Sequence, residues 1–206
     1  MSMTDLGGSL DILSTFRPGE KLLLDLYDRP DEVKRLTWEA HDAWRRYYEA
    51  LNEVLQPVNP GYTDWAGIYS DGPSYMLQCD FAYMIGPEMF DEFVKPELQA
   101  TCRRLTHAMY HLDGVGQLPH LDSLLSMDDL LGIQWVPGSG KPGCAHWPEV
   151  YRKIRSAGKL MQVLGNFDVL DAVTDQVGSA KGIHARISSA GNQASARERM
   201  ARYGVE

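Results

Sequence analysis

The sequence predicts an α/β fold built on a parallel β-sheet, and three observations support this prediction. After residue 107, short apolar segments alternate with helical patterns, as in consecutive right-handed βαβ units. Each of these segments runs into a polar or glycine-rich loop, namely HLDGVG, QWVPGSGKPG, VLGN or RISS. The chain has 206 residues and 44% hydrophobic residues, which is enough to bury the core of a single domain spanning 1–206.

The first part of the chain is predicted to be mostly helical. Residues 1–14 indicate an extended segment, in which Gly7 and Gly8 allow the backbone to turn tightly. Helices are predicted over 20–27 and 30–55, because apolar residues recur there at helical spacing. Proline and glycine residues then end the second of these helices.

The middle of the chain predicts a short extended hairpin or arm near 61–84. Two extended runs, 62–69 and 74–84, are joined by SDGPS, a turn signature. A helix over 87–108, bent at Pro96, is predicted to follow. The later strands are predicted over 108–112, 131–136, 159–164 and 182–187, and the helices that alternate with them over 117–126, 147–157, 169–176 and 194–202.

Composition excludes several classes of protein. A formal net charge of −8 argues against a nucleic-acid partner and against a polyanionic substrate, both of which need a basic surface. The three cysteines include no CxxC pair, which favours a reducing cytoplasm. No segment approaches the roughly 18 apolar residues of a membrane span, and no signal peptide is apparent at the N-terminus. We therefore expect a cytoplasmic protein that acts without a membrane.

The segment YHLDGVGQLPHLDSLL contains the tripeptide HLD twice. The first copy leaves a predicted strand, and ligand sites of parallel α/β folds form at the carboxyl ends of strands. His111 and Asp113 are two residues apart, so their side chains point to the same side, as a metal pair or an acid–base pair requires. A hydrogen-bonded pair without a metal is the alternative. The second copy lies in a predicted helix, so His120 is expected mainly to pack and secondarily to contact a substrate.

Other polar residues are predicted at the same ends of the strands. Gln78 and Asp80 are two residues apart in YMLQCDF, and we expect Asp80 to be catalytic and Gln78 to bind the substrate. Gln134 and Trp135 lie near the end of the strand predicted over 131–136, and Asn166 follows the strand over 159–164; the first two are predicted to bind the substrate. The loop PGSGKPG lacks the GxxxxGK spacing and the Ser or Thr of a phosphate-binding loop.

Several of these segments resemble the uroporphyrinogen decarboxylase superfamily. CDFAYMIGPEMFDEFVKPEL is similar to the part of that superfamily in which a strand ends in an aspartate and a helix begins at Pro-Glu. YHLDGVG resembles the next strand, which carries a His-x-Cys pair in the zinc-dependent, corrinoid-linked methyltransferases of the superfamily. LLGIQWVPG and WPEVYRKIRSAGKLMQV resemble the elements that follow. The resemblance runs from about Asp5 to the C-terminus.

The resemblance implies a (β/α)8 TIM barrel that is incomplete here, with about six of the eight strands. The segment that would supply the first two strands is absent, so we expect either a truncated gene product or a homo-oligomer that covers the gap. Asp80 corresponds to the strand-end aspartate of the superfamily. Asp113 replaces the cysteine, and in GIHARIS the nearest replacement for a second, later cysteine is His184. The implied metal, zinc or another transition metal, would be held by His111, Asp113 and His184.

The resemblance also implies a function. Methyl transfer on a small organic substrate is the first hypothesis, linked to a thiol or to a corrinoid carried by a partner protein. The first alternative is a uroporphyrinogen decarboxylase-type lyase, which the acidic charge and the missing arginine-rich segment disfavour. The second alternative is a truncated, non-catalytic binding or assembly subunit.

Overall fold

The computed structural model describes residues 1–189 and 191–204, and it confirms the α/β class. The chain divides into two compact units, Met1–Leu131 and Gly132–Glu206. The helices of the first unit are α1 (Ser9–Phe16), α2 (Gly19–Asp28), α3 (Pro30–Leu55), α4 (Pro87–Phe93), α5 (Lys95–Cys102) and α6 (Leu121–Leu125). Its strands are β1 (Tyr62–Thr63), β2 (Tyr69–Ser70), β3 (Ser74–Leu77) and β4 (His107–Asp113), and 3-10 turns cover Asp80–Met84 and Val115–His120.

The boundary between the units falls inside β5 (Leu130–Val136). The second unit continues with a 3-10 turn (Cys144–His146), α7 (Pro148–Ser156), β6 (Leu160–Gly165), α8 (Phe167–Val177), β7 (Ile183–Ile187) and α9 (Gln193–Ala201). The parallel sheet has the strand order β3-β4-β5-β6-β7. Five parallel strands are therefore present in the described part of the chain, where the sequence predicted about six.

The hairpin forms within the first extended run and not between the two runs. β1 and β2 pair antiparallel, with Thr63 opposite Tyr69. The loop between them turns at Gly67, whose φ is +77°, after the Asp64 carboxylate accepts a 3.0 Å hydrogen bond from the Ala66 N–H. The SDGPS segment then leads into β3, which pairs parallel with β4. The prediction of one extended run over 74–84 is wrong beyond β3, because that run becomes a 3-10 turn.

The N-terminal segment is helical from Ser9, where the sequence analysis expected an extended chain. The Asp11 carboxylate accepts a 3.1 Å hydrogen bond from the Gly8 N–H and so caps the first turn of α1. Gly7 turns the chain with a φ of +69°, as the sequence predicted. A Cβ at Gly8 would lie 2.3 Å from the Gln78 carbonyl oxygen, so only glycine permits this approach to the end of β3.

The helix predicted over 87–108 is two helices, and it ends earlier than predicted. α4 ends at Phe93 and α5 begins at Lys95, so the break lies at Val94. Pro96 lies in the first turn of α5, where it has no N–H to donate to the carbonyl of the preceding turn and its ring crowds that carbonyl. The N–H groups of Thr106 and His107 both donate to the Pro73 carbonyl, at 2.8 and 3.1 Å. These bonds start the β3–β4 pairing and stop the helix from continuing.

The long helix α3 packs its apolar face on β3, as its periodicity predicted. Trp44 and Tyr48 are stacked with their ring centroids 5.3 Å apart, and both meet the ring of Tyr75 edge-on. The Tyr48 hydroxyl also donates a 3.1 Å hydrogen bond to the Ser74 carbonyl. Among the described residues, no helix is both long enough and apolar enough to cross a membrane.

Candidate metal centre

The first unit brings together three of the predicted site residues. Asp80, His111 and Asp113 each offer one ligand atom, and these atoms all lie within 4.8 Å of one another. His111 Nε2 is 3.8 Å from Asp113 Oδ2. Two ligands bound at about 2.1 Å to one ion lie about 3.0–4.2 Å apart, depending on the coordination angle. The His–Asp distance of 3.8 Å falls in that range.

At the end of β4, the side chains of the first HLD alternate between the two faces of the strand. Leu112 is fully buried, whereas His111 and Asp113 are partly exposed on the opposite side. The edge of the Trp65 ring meets the His111 imidazole, with centroids 5.2 Å apart. The chain then turns at Gly114, whose φ is +82°. These contacts orient the imidazole at the open end of the strand.

Asp80 is positioned by a carboxylate that is distant in sequence. The Asp11 side chain accepts hydrogen bonds from the N–H groups of Asp80 and Phe81, at 3.0 and 2.7 Å. These bonds cap the 3-10 turn that begins at Asp80. Asp80 is exposed in the structure, at the carboxyl end of β3, as the sequence predicted.

The electrostatic field around Asp80 is negative. Although Asp80 is exposed as a whole, the protein around its carboxyl group partly removes water from it and so raises its pKa above the ordinary value. The nearby Asp11, Asp113 and Asp5 carboxylates raise this pKa further, while His111 acts in the opposite direction. A carboxylate held close to other carboxylates gains stability when a cation binds between them. The site is therefore electrostatically suited to a positive ion.

Gln78 lies beside this cluster but outside the three-residue group. It is buried, and its amide nitrogen donates weakly to the Asp5 carboxylate, at 3.3 and 3.4 Å. The contact ties the N-terminal segment to the end of β3. The role that the structure assigns to Gln78 is thus to position the chain, and a substrate contact remains a prediction.

The histidine of the second HLD is enclosed by the core. His120 is fully buried at the end of a 3-10 turn, where its Nε2 donates a 2.8 Å hydrogen bond to the Ala82 carbonyl. Its ring stacks on Phe90 with the centroids 4.5 Å apart. Burial lowers the pKa of His120 and so favours the neutral imidazole. Because its ring is enclosed in this way, the prediction that His120 contacts a substrate has no support from its surroundings.

The remaining predicted residues belong to the second unit. Trp135 is fully buried and meets Trp147 edge-on at 5.2 Å. The Asn166 side chain accepts a 3.1 Å hydrogen bond from the Val169 N–H and caps α8. Gln134 and His184 take part in a row of polar side chains described below. The three-residue metal group contains neither of these last two, so the placement of His184 among the metal ligands is not supported.

The contribution of Asp5 and Asp11 to the site was not predicted from the sequence. Gly8-x-x-Asp11 has the spacing of a helix N-terminus with an acidic third residue, which would have indicated the start of α1. No sequence signal indicated that the same carboxylate would also cap a turn about 70 residues later, because that contact depends on the tertiary fold.

Comparison with known proteins adds no further constraint on the site. No protein-family model matches the chain, and no curated protein matches it significantly.

Proposed function

We propose that this protein binds a divalent transition-metal ion through Asp80, His111 and Asp113 and uses it in a reaction on a small organic substrate. The observation that carries the proposal is the convergence of these three ligand atoms at the carboxyl ends of β3 and β4. Ligand sites in parallel α/β folds form at this end of the strands. The acidic residues around Asp80 add an electrostatic reason for a cation to bind there.

The donor set favours a particular class of ion. One imidazole and two carboxylates form a harder set than the thiolate sites of structural zinc, and they suit manganese, iron or zinc. Three protein ligands leave coordination positions open, as in catalytic metal sites. A bound ion would supply Lewis acidity and would lower the pKa of a thiol or water molecule bound to it.

For the reaction we propose methyl transfer, in line with the resemblance to corrinoid-linked methyltransferases. His111 and Asp113 would hold the ion, and Asp80 would complete the site and orient the substrate. Trp65, against His111, would shield one side of the imidazole from water. A corrinoid would reach the site only on a partner protein. In the same scheme, the parallel sheet would belong to a TIM-type barrel that is completed by association with another chain.

The charges around the site disfavour decarboxylation of uroporphyrinogen. A substrate with several carboxylates requires converging arginines, whereas the charged groups that act most strongly on Asp80 are three carboxylates and one histidine. We expect no measurable decarboxylation of uroporphyrinogen by the purified protein. A non-catalytic subunit is the other alternative, and it predicts no metal affinity at this site.

Metal binding can be tested with a matched pair of variants. The chain is stripped with EDTA, and binding of Mn²⁺ or Zn²⁺ is measured by isothermal titration calorimetry. Asp113→Asn should weaken binding by roughly tenfold or more, because it removes a charged ligand of nearly unchanged shape. Asp122→Asn makes the same change at the exposed aspartate of the second HLD and should leave the affinity unchanged. Equal affinities for the wild type and for Asp113→Asn would contradict the proposal.

A further inference from the structure

A row of polar side chains crosses the strands of the second unit. Gln134 on β5, Gln162 on β6 and His184 on β7 lie directly opposite one another in the strand register. The Gln134 amide nitrogen donates to Gln162 Oε1, and the Gln162 amide nitrogen lies 3.1 Å from His184 Nδ1. The row therefore links three neighbouring strands through their side chains.

The row is unusual because of where the two amides lie. Gln134 is 2% exposed and Gln162 is fully buried, among strand neighbours that are otherwise apolar. Burying an amide is costly unless it is hydrogen-bonded, and the row supplies hydrogen bonds to both amides. Leucine would fill the same space without this requirement. Because burying two amides is unfavourable, we infer that they are present to orient His184, the one member of the row that reaches solvent.

The direction of the hydrogen bonds in the row determines which tautomer of His184 fits it. If Gln162 accepts from Gln134 through its oxygen, it turns its NH₂ group toward His184. A donor facing Nδ1 requires an unprotonated Nδ1, so the proton of a neutral imidazole must lie on Nε2. Partial desolvation lowers the pKa of His184, a hydrogen bond to its own backbone carbonyl acts in the opposite direction, and the neighbouring Arg186 lowers the pKa as well; the net effect favours the neutral ring.

Arg186 lies on the same face of β7. Alternate residues of a strand point to one side and are about 7 Å apart. His184 and Arg186 are both exposed, whereas Ile183, Ala185 and Ile187 point to the other side and are partly buried. A carboxylate that accepts from Nε2–H and from the guanidinium would span this separation, because each hydrogen bond adds about 2.8 Å.

We propose that Gln134 and Gln162 lock His184 in its Nε2–H form, and that His184 and Arg186 together bind the carboxylate group of a small organic molecule. The glutamines are positioning residues, and the two exposed side chains contact the ligand. In this arrangement His184 is a hydrogen-bond donor. Its outward nitrogen has no lone pair for a metal, which differs from the role that the family resemblance implied. The subsite does not depend on the metal centre, and its tests use protein that has been freed of metal with EDTA and then dialysed to remove the EDTA, whose carboxylates would compete with acetate.

The tautomer of His184 is tested by long-range ¹H–¹⁵N spectra of the histidine rings, with the His184 signals assigned from a His184→Gln variant. The wild type should show a protonated Nε2 and an unprotonated Nδ1. Gln162→Glu presents only acceptors to Nδ1, so it should move the proton to Nδ1 or yield the doubly protonated ring. Gln162→Leu removes the partner and should leave a mixture of the two forms. A wild-type His184 ring protonated on Nδ1, or a Gln162→Glu spectrum identical to that of the wild type, would refute the proposal that the glutamines hold His184 in its Nε2–H form.

Carboxylate binding by His184 and Arg186 is tested with acetate as the probe and acetamide as its neutral control. Acetate should shift the His184 and Arg186 side-chain signals in a saturable way, whereas acetamide should bind at least tenfold more weakly. Arg186→Gln should weaken acetate binding about tenfold. Lys181→Gln, which removes an exposed cation two residues before β7, should not change it. The subsite is refuted if acetate causes no saturable shift, if acetamide binds equally well, or if both variants lose binding to the same extent.

Discussion

The two copies of HLD should respond in opposite ways to mutation. Asp113, in the first copy, is partly exposed at a strand end, so Asp113→Asn should change the free energy of unfolding by less than about 1 kcal/mol. Leu124 follows the second copy and is fully buried, so Leu124→Ala leaves a cavity and should cost about 2–5 kcal/mol. For a chain of this length, that loss corresponds to a fall in Tm of about 4–20 °C.

Binding should follow the reverse order. Asp113→Asn should lose metal affinity, while Leu124→Ala and His120→Ala should retain it in the folded fraction, since neither residue belongs to the metal group. His120→Ala also removes the hydrogen bond to the Ala82 carbonyl and should be destabilising by about 1–3 kcal/mol. Thermal melts in EDTA give the stabilities, and calorimetric titration with Mn²⁺ below the lowest Tm gives the affinities. If His120→Ala abolished binding and Asp113→Asn did not, the assignment of the two copies would be wrong.

Three further predictions concern the scaffold. Glu97 is buried beside His41, and burial raises the pKa of its carboxyl group, so the folded protein retains this proton to a higher pH than the unfolded chain. The free energy of unfolding of the wild type should therefore fall as pH rises from 4.5, the ordinary pKa of a glutamate, through the raised pKa of Glu97. In urea melts over this pH range, Glu97→Gln should gain stability relative to the wild type. A difference between the two proteins that stays constant with pH would contradict this prediction. Gly8→Ala should cost about 1–3 kcal/mol in urea melts, because its Cβ would meet the Gln78 carbonyl, and an unchanged unfolding midpoint would show that the backbone can yield there. Within the described residues β7 pairs only with β6, so we expect a homo-oligomer that covers the free edge, and a monodisperse monomer in light scattering at micromolar concentration would refute it.

The sequence predicted the elements whose boundaries are set by local patterns. α3 has the predicted bounds, and β4 to β7 lie within one residue of them at each end, because apolar runs bounded by glycine and polar residues are local signals. Two of the wrong predictions, the extended segment over 9–14 and the extended run over 80–84, share a cause. In both places the Asp11 carboxylate binds backbone N–H groups and stabilises a helical turn.

The metal site was predictable only where its geometry depends on local sequence patterns. His111 and Asp113 follow from the two-residue alternation of a strand, which is local. Their meeting with Asp80 required the parallel register of β3 and β4, which places Leu77 opposite Tyr110 and so brings the two strand ends together. The polar row of the second unit depends on register as well. Gln134, Gln162 and His184 are 28 and 22 residues apart in sequence, and no local pattern links them.

The contrast between the two HLD copies shows how backbone geometry determines what a short motif can do. On β4 successive side chains alternate, so Leu112 enters the core while the histidine and the aspartate share the open side. Where the second copy begins α6, successive residues rotate by about 100°. There His120 and Leu121 both turn inward and only Asp122 reaches solvent. A His-x-Asp motif can thus present two ligand atoms to one ion from a strand end, whereas residues i and i+2 of a helix diverge. The secondary structure predicted around such a motif is therefore the first criterion for treating it as a metal site.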